Sequence, residues 1–155
     1  MREILFRGKR VKPVALVSQW ILGNHVFKAD DSLPGLGKHF IVVHDGFGLS
    51  QWVEVDPDTI GQFTGLTDKN GKKIFEGDIV QFSLITGRSL VPQGLRQVTF
   101  SAGSFMIEDP YSGDDETISR IAASVELEVV GNIYDNPDMI ADYVQSVRQE
   151  LMEDE

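Results

Sequence analysis

The 155-residue chain has no cysteine. That excludes a disulfide framework, thiol catalysis and any thiolate zinc site. It also suits a reducing compartment. No apolar run approaches the roughly 20 residues that a membrane-crossing helix needs. The basic opening Met1-Arg2-Glu3-Ile4-Leu5-Phe6-Arg7 lacks an apolar h-region with a small-residue cleavage site, so no signal peptide is expected. The expectation is a cytoplasmic protein with no membrane contact. Cations are also in short supply. Fourteen Lys and Arg face 24 Asp and Glu, which sets the net charge at −10. This argues against a broad electrostatic footprint on nucleic acid, which needs clustered Lys and Arg.

The charge that is present is unevenly spread. Arg2, Arg7, Lys9, Arg10 and Lys12 form a basic strip near the start. Asp135, Asp138, Asp142, Glu150, Glu153, Asp154 and Glu155 make the other end acidic, with Arg148 opposing them. Both can be solvated surface. They can also meet head to tail between subunits, or the acidic end can act as a decoy surface. The length suits one domain, or one domain with a small appendage.

Short β-prone runs separated by turn residues dominate the pattern. Residues 3–7 read as an opening strand. Residues 13–28 read as two strands turning at Gly23-Asn24. Residues 30–37 hold Pro and Gly and read as a loop. Phe40, Ile41, Val42 and Val43 mark a buried strand, and residues 60–64 mark another. Asp68-Lys69-Asn70-Gly71 is the strongest turn signal, because Asn-Gly tolerates positive φ. Glu76-Gly77-Asp78 is a second tight turn before the strand Ile79-Val80-Gln81-Phe82. Residues 87–94 read as a loop tip. Ser101-Ala102-Gly103 reads as a hairpin turn. Residues 124–129 alternate strictly, as a half-buried strand does.

One helix is expected, at the C-terminus. Asn136 would cap it and Pro137 would open it. Ile140, Tyr143, Val144, Val147 and Leu151 fall on one face. The terminal carboxylates oppose the macrodipole, so fraying is expected after Leu151. The fold class is therefore mainly β. The specific expectation is a small SH3-like antiparallel barrel with a C-terminal α-helix. Residues 1–134 would form the β domain. Residues 135–155 would form the helix and acidic tail, either within the same domain or as an oligomer contact.

Each candidate chemistry has a simpler structural reading. Asp68-Lys69-Asn70-Gly71 begins like a calcium loop, but Lys72 and Lys73 stand where that loop needs a ligand and a glycine. His39 and His44 bracket a strand at a spacing that puts them on opposite faces, and one of them can meet Asp45 or His25. Glu76 and Asp78 could do acid–base work only in a cleft; Asp78 more simply bonds its own turn. Gly61, Gly65, Gly71 and Gly77 lack phosphate-loop spacing. Trp20, Phe63, Phe75, Phe82, Phe100 and Phe105 are expected in the core, though small barrels also stack ligands on such side chains. No catalytic, cofactor-binding or metal-binding residue is assigned.

Several separated motifs resemble the YopX family. They are Met1-Arg2-Glu3-Ile4-Leu5-Phe6-Arg7-Gly8-Lys9, Gln19-Trp20-Ile21-Leu22-Gly23, and Val55-Asp56-Pro57-Asp58-Thr59-Ile60-Gly61-Gln62-Phe63-Thr64-Gly65-Leu66. Asp68-Lys69-Asn70-Gly71 and Ile74-Phe75-Glu76-Gly77-Asp78-Ile79-Val80 extend the third. Val130-Gly131-Asn132-Ile133-Tyr134-Asp135-Asn136-Pro137 completes the set. Residues 23–37, 86–97 and 109–120 depart from the pattern. The resemblance implies a mostly β protein of phage or prophage origin that self-associates, with no established activity and no cofactor.

The expected function is a non-enzymatic binding or assembly module forming homo-oligomers, with a host or phage protein as a further partner. The surfaces offered for contact are Arg2, Arg7, Lys9, Arg10, Lys72 and Lys73, and the helical stripe Ile140, Tyr143, Val144, Val147 and Leu151. One alternative is a nucleic-acid-associated phage factor. Another is an acidic DNA mimic that inhibits a host enzyme. A hydrolase using Glu76, Asp78 or the histidines is a third.

Overall fold

Two glycines in the first half show how closely the strands approach. A Cβ on Gly23 would lie 2.2 Å from the Val42 carbonyl oxygen, and one on Gly37 would lie 2.4 Å from that of Lys28. The computed structural model describes residues Met1–Glu155. It is mainly β, with two antiparallel sheets and a C-terminal helix. The chain divides into two compact units, Met1–Gly65 and Leu66–Glu155.

In the first unit β1 (Phe6–Lys9), β2 (Trp20–Ala29), β3 (Gly37–His44), β4 (Ser50–Val55) and β5 (Gly61–Thr67) stand in the order β4-β3-β2-β1-β5. The sheet curls. A bridge joins Arg10 to Val55, and the Asp56 N–H donates to the Lys9 carbonyl at 2.9 Å. Alternation along the strands gives two faces. Gly8, Ile41, Val53 and Val55 share one, and the three branched side chains are buried there. A Cβ on Gly8 would sit 2.9 Å from the Val55 Cβ, so the curl needs glycine at that point.

The expected hairpin at Gly23-Asn24 does not form. β2 runs straight through both residues, pairing Asn24 with Val42. Gly23 is there for close approach to β3 and not for turning. The run 13–17 that read as strand is turn and irregular backbone.

β5 crosses into the second unit at Leu66, and its end forms a hairpin there with β6 (Lys73–Phe75). The second sheet has the order β10-β9-β8-β7-β11. Its strands are β7 (Asp78–Thr86), β8 (Ser89–Ser101), β9 (Ser104–Glu108), β10 (Asp115–Thr117) and β11 (Val125–Asn132). A one-turn helix, α1 (Ile118–Ile121), precedes β11. Ile74, Val80, Val98, Ile107, Ile118, Val125 and Leu127 form the core, with Leu66, Phe82 and Phe105 packed on it.

Of residues 87–94 only Gly87-Arg88 is a turn, and the rest is strand. Thr86 already pairs with Ser89, and β8 carries Pro92 and Gly94 within a bulge opposite Phe82 and Ser83. The bulge absorbs the proline, which cannot donate to the ladder, and the glycine at φ +93. The Ala102-Gly103 hairpin forms as expected, both residues having positive φ. Phe100 is not a core residue. It stands 51% exposed beside that turn, in edge contact with Phe105.

The C-terminal helix α2 runs over Met139–Glu153. It starts two residues later than a cap at Asn136 would give. The Asn136 Oδ1 accepts from the Asn132 N–H behind it and is unavailable to the helix ahead. The helix also continues past Leu151 despite its terminal carboxylates.

Candidate functional site

Register places a set of cations and large apolar groups on the second face of the first sheet. Lys9 pairs with Trp20, Asn24 with Val42, Val26 with Phe40, and Lys28 with Lys38. Val42 pairs in turn with Trp52, and Phe40 with Glu54. Side-chain geometry agrees with this assignment. The Phe40 and Trp52 rings meet edge to face at 5.7 Å, and Lys38 Nζ lies 3.5 Å from Glu54 Oε2. Val42 is buried at the centre, whereas Leu22 is 42% and Trp52 54% exposed. An apolar centre thus carries a rim with three lysines and one carboxylate. A hollow of about 840 Å³ adjoins it, lined by Lys28, Asp30, Leu36, Lys38 and Phe40 among others.

The basic N-terminal strip is dispersed by the fold. Arg2 is exposed, but Arg7 is buried, its guanidinium 4.6 Å from the Trp20 ring centre. Lys9 also lies over Trp20, at 5.8 Å. Arg10 turns to the Ser18 carbonyl, with Nε at 3.3 Å. β1 alternation puts Arg7 and Lys9 on one face, over Trp20, while Arg2 and Arg10 lie outside the strand. Lys72 is exposed and Lys73 half-buried at the β5–β6 turn of the second unit. The face that does gather cations draws them from Lys9, Lys28 and Lys38. Its aromatic centre comes from Phe40 and Trp52. Only strand register brings these together, so spacing along the chain gave little sign of it.

The helical stripe was legible. Ile140, Tyr143, Val144 and Val147 are half-buried on one side of α2. Tyr143 crosses Gly94, where a Cβ would meet the phenolic oxygen at 2.1 Å. Met139 and Asn136 press on Gly131 in the same way. Leu151, at the end of the stripe, is 49% exposed, and Met152 beside it 73%.

Two polar clusters are structural. Asp78 is 1% exposed and its Oδ2 accepts from the Phe75 N–H at 2.8 Å, which closes the turn at Gly77. Asp68 accepts three backbone N–H bonds, from Asn70, Lys72 and Val129. Burial pushes its carboxyl upward, but those bonds and the Lys72 charge outweigh it and hold the pKa below the ordinary value. Nowhere do three or more His, Asp or Glu side chains gather as a metal set.

His39 and His44 do point to opposite faces. His44 Nδ1 meets the Ser50 hydroxyl at 2.7 Å, while His39 Nδ1 meets His25 Nε2 at 2.8 Å. The His25 and His39 rings are parallel within 3° and their centres lie 5.1 Å apart. Subtracting the 2.8 Å contact leaves only the two ring radii. The rings therefore lie end to end in one plane, joined through their facing nitrogens. Phe6 and Phe27 flank them. Burial, and then the His39 charge, lower the His25 pKa.

A His pKa that is lower in the fold than in the unfolded chain means that the unfolded chain binds more protons in acid. The stability contributed by His25 is thus full above about 6.5 and is lost as pH falls through the folded value. The thermal midpoint should be flat from neutral pH down to about 6.5 and fall below it. In His25→Gln that early fall should be absent. Equal acid slopes in the two proteins between neutrality and the carboxylate range would contradict this.

The chain is a mainly β protein of two antiparallel sheets, with an aromatic–basic sheet face and a C-terminal helix that meets the second sheet through Met139 and Tyr143. It belongs to the YopX protein family, whose model matches residues 36–141. The crystal structure of protein yopX from Bacillus subtilis shares the fold at a TM-score of 0.52 and 16% identity, covering 90% of this chain and 98% of that one. Protein EF1440 from Enterococcus faecalis aligns at a TM-score of 0.50 and 25% identity, over 90% and 99% of the two chains. No curated protein sequence matches.

Proposed function

We propose that this YopX-family chain is a non-enzymatic binding or assembly module that works by associating with itself. One observation carries the reading: the apolar stripe of α2 outruns the surface its own unit offers. Its first three turns are half-buried, and its last leaves Leu151 and Met152 in water. Apolar side chains projecting together from a helix end favour contact with another surface. The absence of cysteine suits a cytosolic setting, and the family resemblance supports a phage or prophage origin. The tight bend at Gly77, closed by Asp78 accepting from the Phe75 N–H, supports the SH3-like reading of the β domain.

The test is the mass of the full chain in solution. A mass above 17.2 kDa that rises with concentration is expected. Leu151→Ser with Met152→Ser should lower it while the circular dichroism spectrum stays unchanged. Unchanged association in that variant would contradict the role given to α2.

A further inference from the structure

The whole net negative charge of this protein belongs to one of its two units. Met1–Gly65 holds seven Lys and Arg and seven Asp and Glu, whereas Leu66–Glu155 holds seven and seventeen. Within the neutral unit, the face bearing Trp52 gathers Lys9, Lys28 and Lys38 against Glu54. Within the acidic unit, the end of α2 places Glu150, Glu153, Asp154 and Glu155 around the exposed Leu151 and Met152. One surface is apolar with a basic rim. The other is apolar with an acidic rim.

From this complementarity we infer that the Trp52 face of β2, β3 and β4 receives the last turn of α2 from a second copy of the chain. The inference rests on the self-association proposed above and names its two surfaces. Leu151 and Met152 pack on Leu22, Phe40 and Trp52. The carboxylates of the helix end meet Lys28 and Lys38, and Lys38 exchanges its partner Glu54 for one of them. The exposed ends of the lysines keep these pairs weak and salt-sensitive. The lysine stems extend the apolar floor.

Such a contact is heterologous, since each copy gives its helix end and its sheet face to different neighbours. It leads to rings if the rotation closes and to open chains if it does not. A single helical turn buries far less than the roughly 1,200 Å² of a stable interface. Each contact is therefore weak alone, and the assembly depends on concentration and ring closure.

Two full-length variants isolate the two surfaces. The first carries Trp52→Ala, Lys28→Glu and Lys38→Glu, all at exposed positions. The second carries Leu151→Ser and Met152→Ser. Each alone should have the monomer mass, because one half of every contact is missing. At high concentration an equimolar mixture should approach twice that mass and stop there, since one intact face meets one intact helix end. The doubling should weaken as salt is raised. A mixture whose mass does not rise even at the highest attainable concentration, while the wild type associates, would overturn the inference. So would association of either folded variant alone, which would leave self-association standing through other surfaces. A monomeric wild type would instead overturn the reading on which the inference rests. Lys28→Glu with Lys38→Glu alone guards against misfolding of the triple variant, and it should weaken wild-type association at least tenfold.

Discussion

Asp68→Ala should cost the fold about 3–5 kcal/mol, although the side chain is hydrophilic and lies in a turn. Its Oδ1 accepts from the Asn70 N–H at 2.8 Å and the Lys72 N–H at 2.9 Å. Its Oδ2 accepts from the Val129 N–H at 2.9 Å. One carboxylate thus holds the β5–β6 turn together and ties it to β11, 61 residues on. The Lys69 N–H donates to Leu127 beside it, which fixes the same junction. Alanine would leave three N–H groups without an acceptor, two of them in a turn with no other secondary-structure partner.

Asp68→Asn should fall between the two, since its amide nitrogen would face a donor. The loss should also depend on pH. The carboxyl pKa is lower in the fold than in the unfolded chain. Its contribution is full above about 3.9 and fades as pH falls through the folded value. The deficit of the alanine variant should therefore shrink in acid. Urea unfolding at neutral and acid pH measures both effects. An alanine variant within 0.5 kcal/mol of wild type, a loss of the size seen at ordinary surface sites, would contradict the account.

Gly23→Ala should be at least as damaging, at roughly 3–5 kcal/mol or loss of the first unit's structure. The added Cβ would sit 2.2 Å from the Val42 carbonyl oxygen, 2.9 Å from its carbon and 3.0 Å from Ile41 Cγ2. Two of these atoms are backbone, so relief requires moving β3 itself. Ile41 is fully buried, and displacing it disturbs the packing of Val53 and Val55. Gly46→Ala makes a useful control. It has φ +80 and nothing within 4 Å, so it should lose only about 1–2 kcal/mol of left-handed strain. Thermal melts of the two variants should separate clearly. Equal midpoints would show that β2 and β3 can part to admit a methyl group.

Gly23 also shows where sequence reading stops. Followed by asparagine, between two apolar runs, it has the chemistry of a hairpin turn. Whether a glycine turns the chain or lets another strand approach depends on a neighbour 19 residues away, and no local pattern holds that information. Pro92 and Gly94 mislead in the same way, because a bulge opposite β7 hides two residues that normally end a strand. Asp68-Lys69-Asn70-Gly71, Ala102-Gly103 and the strand through Leu127 were readable, since turn type and alternation are local. The stripe of α2 was readable for the same reason.

The aromatic–basic face was not. Lys9, Lys28, Lys38 and Trp52 are far apart in sequence and meet only through strand register. The basic strip at residues 2–12 looked continuous along the chain, yet Arg7 is buried against Trp20 and Arg10 turns to the Ser18 carbonyl. His39 was readable as one member of a pair, with His25 among its candidate partners. The end-to-end contact with His25 required the ring geometry.

Sedimentation equilibrium of the full chain, over a wide concentration range at low and high salt, tests the central claim most directly. Self-association predicts a mass above 17.2 kDa that grows with concentration and falls back as salt screens the charged rims. A mass of 17.2 kDa at every concentration and at both salts would contradict it.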